Sequence, residues 1–518
     1  MTAVDPLSLG VMGHAIAMVA EEMGAVLVRS ALSPNIRERR DASCALFDAE
    51  GRMVAQAAHI PVHLGAMPAA VRAAMARHPG PGDVLLLNHP SHGGSHLPDL
   101  TMIEAIADET RSSVVGYAAV RAHHADVGGM SPGSMPFGAR ELVQEGLVLP
   151  PVFLERGGAP VEDVWAIVLA NVRTPDERRG DLAAQRAACR AGAEGWRALR
   201  ARLRPETLTA AGGALLDYAE RRARERLRPL EGARGAAEDF LEGDGVTDDD
   251  IRLAVTAEVR AATLHLDFTG TAPRVAGNVN CPRAVVQAAA VFVLRLLLDD
   301  DVPTNDGLAR AVSLTIPDGS AIDARDGAAV AAGNVEMSQR LTDVILRALD
   351  AAGLPVPAQG QGTMNNVVFG GAGWTFYETL GGGQGASARG PGPSGVHVGM
   401  SNTRVTPIES LERAYPLQIV QYAVRAGSGG AGRHRGGDGV VRSYRALAPC
   451  TVTLLTERRR HAPRGAAGGR DGACGRNLLN GVLVPAKCRL DLQVGDVVTI
   501  ETPGGGGWGR EAVAPAVT

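Results

Sequence analysis

Residues 82–106 read GDVLLLNHPSHGGSHLPDLTMIEAI, and residues 112–130 read SSVVGYAAVRAHHADVGGM. In the first, an apolar run precedes a loop of glycines and histidines, and a second apolar run follows, which predicts strand, loop, strand. The second stretch repeats that logic, with a strand ending at the polar cluster His123, His124 and Asp126. Two His-x-x-Asp units, His96/Asp99 and His123/Asp126, therefore fall at or just beyond strand ends, where a rigid scaffold holds reactive groups. Pairing of the two strands brings both units into one pocket. Imidazole nitrogen and carboxylate oxygen together suit Mn, Fe, Co or Zn. A hydrogen-bonded His–Asp pair in a loop is the plain alternative for either unit alone.

Upstream, Met12, Ile16, Val19, Met23 and Leu27 recur at helical spacing and Pro34 ends the run, which predicts one long N-terminal helix from Leu9 to about Leu32. SCALFDAEGRMVAQ (43–56) has the pattern of a hairpin turning at Asp48-Ala49-Glu50-Gly51. Downstream, Asp176 to about Arg234 is rich in Ala, Leu, Arg and Glu at helical period. IRLAVTAEVRAATLHLDFTG (251–270) is strand-like, and a helix is expected in RAVVQAAAVFVLRLLL (283–298). From about residue 305 the chain is glycine-punctuated and mostly β-like. The fold class expected is mixed α/β (α+β) and multi-domain. The divisions are a metal-site region over 1–175, a helical layer over 176–240, a glycine-rich α+β region over 241–510 and a tail over 511–518.

Further candidates lie near the two units. Asp41 follows Arg37-Glu38-Arg39-Arg40 and precedes a buried-looking strand, so its carboxylate needs either a metal or a salt bridge to one of those arginines. His59, His63, His89 and His92 read as structural or solvated. Asp126, His124 and Glu145 are candidates for catalytic work. GQGTMNN (360–366), ETLGGGQGA (378–386) and GPSGVHVGMSNTRVTPIE (392–409) set glycines beside neutral polar side chains. That suits recognition of amide or carbonyl groups, with Asn365, Asn366, Gln384 and His397 as substrate-binding candidates and the backbone amides of 381–385 as donors. Tight-turn chemistry accounts for the same motifs equally well.

A chain of 518 residues with 45% hydrophobic content exceeds the roughly 250–300 residues at which a single core stops growing. A net charge of −4 offers no basic field for nucleic acid. Lys487 is the sole lysine and Cys488 follows it, so no Walker A loop is present. The six cysteines form no C-x-x-C pair, which fits a reducing cytoplasm. The N-terminus lacks a signal-peptide pattern, and no uninterrupted apolar run reaches the ~20 residues of a membrane span. A soluble cytoplasmic protein is expected.

Long stretches resemble the hydantoinase B/oxoprolinase family. They include RERRDASCALFDAEGRMVAQAAHIPVHLGAM (37–67), GGSHLPD (93–99), HHADVGGMSPGSMP (123–136), NVRTPDERRGDLAAQ (171–185), DFTGTAPRVAGNVNCP (267–282), AAGNVEMSQR (331–340), GSGGAGRHRGGDGVVR (427–442) and ETPGGGGWG (501–509). The resemblance implies the B-type subunit of a hetero-oligomeric hydrolase acting on cyclic amides. ATP is then bound by a separate A-type subunit, and a divalent metal, Mn or Zn with Fe or Co as alternatives, is held by Asp41, His96, Asp99 and His123. Asp126 then supports His123 or its loop. The alpha-type subunit of an ATP-dependent ketone carboxylase is the alternative with the same fold and metal, and a non-catalytic homologue is the third. The chain departs from the family at Asn88-His89-Pro90 and Val405-Thr406-Pro407, which bears on substrate preference.

Overall fold

The computed structural model describes residues 5–511 other than 64 and 326. The expected tail lies outside the described residues, apart from residue 511. Asp5 caps the first helix by accepting the Ser8 N–H, and Pro6 occupies its first turn, so α1 runs Pro6–Ser30. It is long and apolar enough to cross a membrane. In this fold, though, its stripe Met12, Ile16, Val19, Met23 and Leu27 is buried in the core. A single turn, α2 (Pro34–Arg37), leads into the hairpin β1 (Ala42–Phe47) and β2 (Met53–Ala58). Asp48 closes its turn by accepting the N–H groups of Glu50 and Arg52.

Then follow α3 (Met67–Met75), β3 (Val84–Leu87), β4 (Asp99–Ala107), β5 (Val114–His123), β6 (Val152–Arg156), β7 (Ala159–Pro160) and α4 (Glu162–Ala170). The strands form one seven-stranded sheet in the order β2-β1-β5-β4-β3-β6-β7, every pair antiparallel. Its strands are apolar on both faces because both are covered. Leu46, Met102 and Val120 pack in the cluster that includes α1, whereas Ala45, Ile103 and Ala119 pack with residues of α3.

The helical layer is two helices, α5 (Pro175–Leu203) and α6 (Pro205–Leu227), broken at Arg204, which has φ +65°. α5 lies against α1 on the sheet's first face; Gly192 and Gly195 admit Met23 and Val19 there, since a Cβ would meet them at 2.5 and 2.6 Å. The last part of the span expected to be helical is instead strand β8 (Arg234–Glu242). It pairs with β9 (Asp250–Arg260), and β10 (Thr263–Asp267) and β11 (Val312–Thr315) complete a four-stranded sheet. α7 (Arg283–Leu296), the short α8 (Asp306–Ala309) and α9 (Ser338–Ala351) pack around it. α9 and the π-turn Gly333–Met337 that feeds it lie inside the stretch expected to be β-like.

The remainder is β-rich. β12 (Asn366–Gly371) and β13 (Trp374–Glu378) belong to the sheet β13-β12-β16-β19, with β16 (Cys450–Leu455) and β19 (Lys487–Leu492). α10 (Ile408–Ala414), β14 (Leu417–Arg425), β15 (Gly439–Ala446), β17 (Arg476–Leu479), β18 (Val482–Val484) and β20 (Val497–Glu501) complete it, the strands ordered β14-β15-β20-β17-β18.

Candidate metal centre

Register builds the site. In the first sheet Asp99, which opens β4, stands opposite His123, which ends β5. Ala42 stands opposite Ala122, so Asp41 reaches the same sheet end, and its carbonyl accepts the His123 N–H at 3.0 Å. His96 closes back onto that end through the turn in which its carbonyl accepts the Asp99 N–H. The result is a cluster of three buried side chains. His96 Nε2 lies 3.2 Å from Asp99 Oδ1 and 3.2 Å from His123 Nδ1, and His123 Nδ1 lies 3.4 Å from Asp99 Oδ1.

The donor chemistry fits a divalent cation. His96 Nδ1 faces the Ala331 carbonyl at 3.1 Å; a carbonyl only accepts, so Nδ1 carries the hydrogen and a neutral ring turns its Nε2 lone pair into the cluster. A carboxylate oxygen and two imidazole nitrogens then converge, and lone pairs so close need positive charge between them. Burial penalises the imidazolium of His96, yet the Asp99 charge and hydrogen bond, the Ala331 carbonyl and the Asp41 charge together outweigh it and raise that ring's pKa. Burial also opposes ionisation of Asp99, but His96, with hydrogen bonds from His123 and His63, holds its carboxyl well below the usual range. Burial keeps His123 below its ordinary value. Its Nε2 is buried with no hydrogen-bond partner among the described residues. A space of about 20 Å³ adjoins the cluster, lined by Asp41, His63, Asp99, His123, Asn334 and Tyr377 among others, which is room for roughly one water-sized occupant.

The second oxygen of Asp99 is committed elsewhere. Oδ2 accepts from Ser95 Oγ and from Asn334 Nδ2 at 3.2 Å, and His63 Nε2 lies 3.5 Å from it. Of the two readings open for His63, structural or solvated, the structure shows the first: it is buried, with Nδ1 on Ser43 Oγ at 3.0 Å. Tyr377 covers the cluster, its ring stacked on His123 at 4.4 Å and 8°. Ser95, Asn334 and Tyr377 were not singled out in the sequence. Ser95 adjoins His96, whereas the other two come from the π-turn and from β13 and carry no local signal. Asp41 forms no ion pair with an arginine among the described residues; Arg39 instead binds Asn35, Thr379 and the Tyr377 carbonyl.

The remaining candidates separate by place. Asp126 is turned away from His123 and organises its own loop: Oδ1 accepts from Gly128 N and Arg173 N, and Oδ2 from Gly133 N and Arg173 Nη1. The two His-x-x-Asp units are thus unequal, because Asp126 lies beyond the end of β5 and the loop it closes consumes its lone pairs. His124, one residue on from His123, bonds Gln185 of α5 at 2.9 Å; burial, aided by Arg178, pushes its imidazole down to about 4. Glu145 is buried and accepts the N–H groups of Val330 and Ala331, whose carbonyl orients His96. Burial pushes its carboxyl up to about 8 against those hydrogen bonds. His89 and His92 pack edge to face at 4.9 Å.

Asn365 bonds Gln361 and Arg459. Asn366 Oδ1 accepts the Tyr377 hydroxyl at 2.8 Å. Gln384 and His397 line a larger cavity beside the cluster. Burial, with Arg39 nearby, pushes His397 down to about 3, so the ring is neutral. The backbone amides expected to be free donors near 381–385 are largely taken: those of Gly382, Gly383 and Gln384 donate to the carbonyls of Val396, Pro503 and Pro393. They are part of the fold's own hydrogen bonding.

Comparison with known proteins places this geometry. The family model described as hydantoinase B/oxoprolinase matches residues 5–511. The chain is 39% identical to 5-oxoprolinase 1 of Arabidopsis thaliana over 98% of its length, spanning 42% of that protein. It is 31% identical to a Pseudomonas sp. (strain NS671) protein named as the B-type subunit of a D-/L-hydantoinase, covering 98% of this chain and 90% of that one. It thus spans less than half of some curated relatives and nearly all of others. The ATP-dependent caprolactamase from Pseudomonas jessenii superposes with a TM-score of 0.90 at 28% identity, over 98% of this chain and 91% of that one. An acetone carboxylase shares the fold at 17% identity, with a TM-score of 0.86 over 98% of this chain and 76% of that one. With the match running from residue 5 to residue 511, the chain belongs to the hydantoinase B/oxoprolinase family.

Proposed function

We propose that the chain is the metal-bearing B-type subunit of an ATP-dependent hydrolase that opens cyclic amides of the hydantoin, oxoproline or lactam class. The observation that carries this reading is the buried convergence of His96 Nε2, His123 Nδ1 and Asp99 Oδ1. The relatives named as 5-oxoprolinase, D-/L-hydantoinase and caprolactamase supply the substrate class.

A cyclic amide is a poor electrophile because its nitrogen lone pair is delocalised into the carbonyl. The A-type partner binds ATP and phosphorylates the amide oxygen, and water then opens the ring. This chain's one lysine supports that division of labour, since Lys487 is buried against Glu457 and is not available to a nucleotide. His96, His123 and Asp99, with Asp41 lining the same space, would hold Mn or Zn, and such an ion when bound lowers the pKa of its water towards ~7. The protein's own part is positioning. Ser95 and Asn334 occupy Asp99 Oδ2 and leave Oδ1 to the cluster. Glu145 fixes the Val330–Ala331 backbone that sets the His96 tautomer. Tyr377 shields one face of His123.

The test is His96→Ala and Asp99→Asn in the complex with the A-type partner, with metal per chain read by plasma mass spectrometry and ring opening by amine release. Metal is expected to fall to near zero and turnover by on the order of 10²-fold or more. Retained metal with full turnover sinks the reading.

A further inference from the structure

Beside the cluster lies a cavity of about 590 Å³, within the ~300–1,000 Å³ of ligand sites. Only a thin hydrogen-bonded partition divides the two. Ser401 borders both spaces, and Ser401 Oγ and Thr403 Oγ1 bind the two ring nitrogens of His397 at 2.9 and 3.1 Å. Phe292, Leu346 and Val356 make part of the wall apolar.

The polar groups of that wall are not equivalent. Gln359 is used up, donating to Asp239 at 2.8 Å and accepting the Arg464 N–H at 2.9 Å. Gln339 donates to the Val398 carbonyl at 2.9 Å. Asp343 is gripped by Arg458 at 2.5 Å. Two exposed lining side chains, the Gln384 amide and the Arg464 guanidinium, have no hydrogen-bond or ion-pair partner among the described residues. Arg347 of α9 lines the same cavity, with its Nη1 donating to the Glu238 carbonyl. Its acidic neighbour Asp239 stands 3.9 Å away and is held closer by Arg458, at 3.1 Å. Burial, with Arg464 close by, holds the Arg347 guanidinium below its ordinary value.

We propose that this cavity seats the ring of the substrate, that Gln384 pairs with its amide, and that Arg464, backed by Arg347, takes an oxyanionic substituent. The inference rests on the cyclic-amide reading above and narrows it to substrates that carry negative charge in this cavity. A guanidinium fork matches carboxylate and phosphate alike, so the oxyanion is either a ring carboxylate or the phosphate set on the amide by the partner. Asp350 also lines the cavity and defines the opposing outcome, selection of a cationic substituent.

Calorimetry on the full chain distinguishes these cases with four probes: inorganic phosphate, a five-membered lactam bearing a carboxylate, the same lactam without it, and an amino-substituted lactam. At least one anionic probe is expected to bind more tightly than the neutral lactam. Arg464→Gln, an exposed position, is expected to weaken the anionic probe about tenfold while changing neutral-lactam affinity less than about twofold. Preference for the carboxylated lactam assigns the site to a ring carboxylate; binding of phosphate alone assigns it to the phosphorylated intermediate. Unchanged affinity in Arg464→Gln, preference for the amino lactam, or no binding by any probe overturns the proposal. The His96→Ala measurement above does not touch Arg464, so the two readings fail separately.

Discussion

His123 is held from three sides. Its N–H donates to the Asp41 carbonyl, its ring lies flat on Tyr377, and its Nδ1 faces Asp99. The Tyr377 hydroxyl in turn donates to Asn366 Oδ1, and Asn366 Nδ2 donates to Glu336 Oε1 at 2.7 Å, so the ring's position is backed by the π-turn. Glu336 Oε2 is buried with no partner among the described residues. Burial, reinforced by Glu457, pushes the Glu336 carboxyl up to about 8 from 4.5. The folded chain therefore keeps a proton that the unfolded chain releases. The stability this group contributes is complete below about pH 4.5 and is lost as the pH rises through about 8. Glu336→Gln preserves the neutral shape and is expected to flatten the fall in melting temperature between about pH 6 and pH 9. A parallel fall in both proteins counts against a protonated Glu336. His96, Asp99 and His123 were legible as residue types at strand ends. Tyr377, Asn334 and His63 were not, because contacts between distant positions leave no periodic mark in a sequence.

At the scale of elements, the C-terminal glycines are the departure from a sequence reading. TPGGGGWG falls in the stretch expected to be β-like, but Gly504–Gly507 belong to no strand and thread between other backbones. Gly505 N donates to Gly437 O, Gly506 N to Gln359 O and Gly507 N to Arg470 O, each at 2.8–2.9 Å, while Gly505 O accepts from Gly430 N. A Cβ at Gly505 would sit 2.1 Å from the Gln384 carbonyl oxygen. Gly505→Ala is therefore expected to cost about 1–3 kcal/mol or more. Gly213, in α6, meets nothing within 4 Å, and Gly213→Ala is expected to add about 0.5–1 kcal/mol. Urea midpoints measure both, and a Gly505→Ala protein as stable as wild type would remove the close approach as the reason for glycine there. Helix α9 carries a legible apolar stripe, Leu341, Val344, Ile345, Ala348 and Leu349 at helical spacing and packed in the core, and it is missed because the glycine-punctuated stretch around it reads as β-like throughout.

Across the whole molecule, buried charge joins what the chain separates. Lys487 of β19 donates to Glu457 and, at 3.1 Å, to the Glu242 carbonyl of β8. Glu457 also faces Arg340 of α9 at 3.3 Å, and Arg458 bridges Asp239 and Asp343. The C-terminal and central sheets are tied through this network. Lys487→Met leaves Glu457 short of a partner and is expected to cost about 3–5 kcal/mol, much of it recovered when Glu457 is also replaced by Met. Chemical denaturation of the single and double variants checks this; an equal loss in both means packing, not charge, governs the site. By itself the sequence determined the elements with strong periodicity, α1, the β1–β2 hairpin, β4, β5 and α7, because burial of one stripe or of alternate residues imposes a local repeat. It also determined the residue types of the candidate metal cluster, because metal chemistry restricts such ligands to a few side chains. Only the tertiary structure decided that Asp126 spends its lone pairs on its own loop, that His63 closes on Asp99, and that a glycine-lined cavity opens beside the cluster. Those outcomes depend on strand register and on which lone pairs the loops consume, and both are set by contacts distant along the chain.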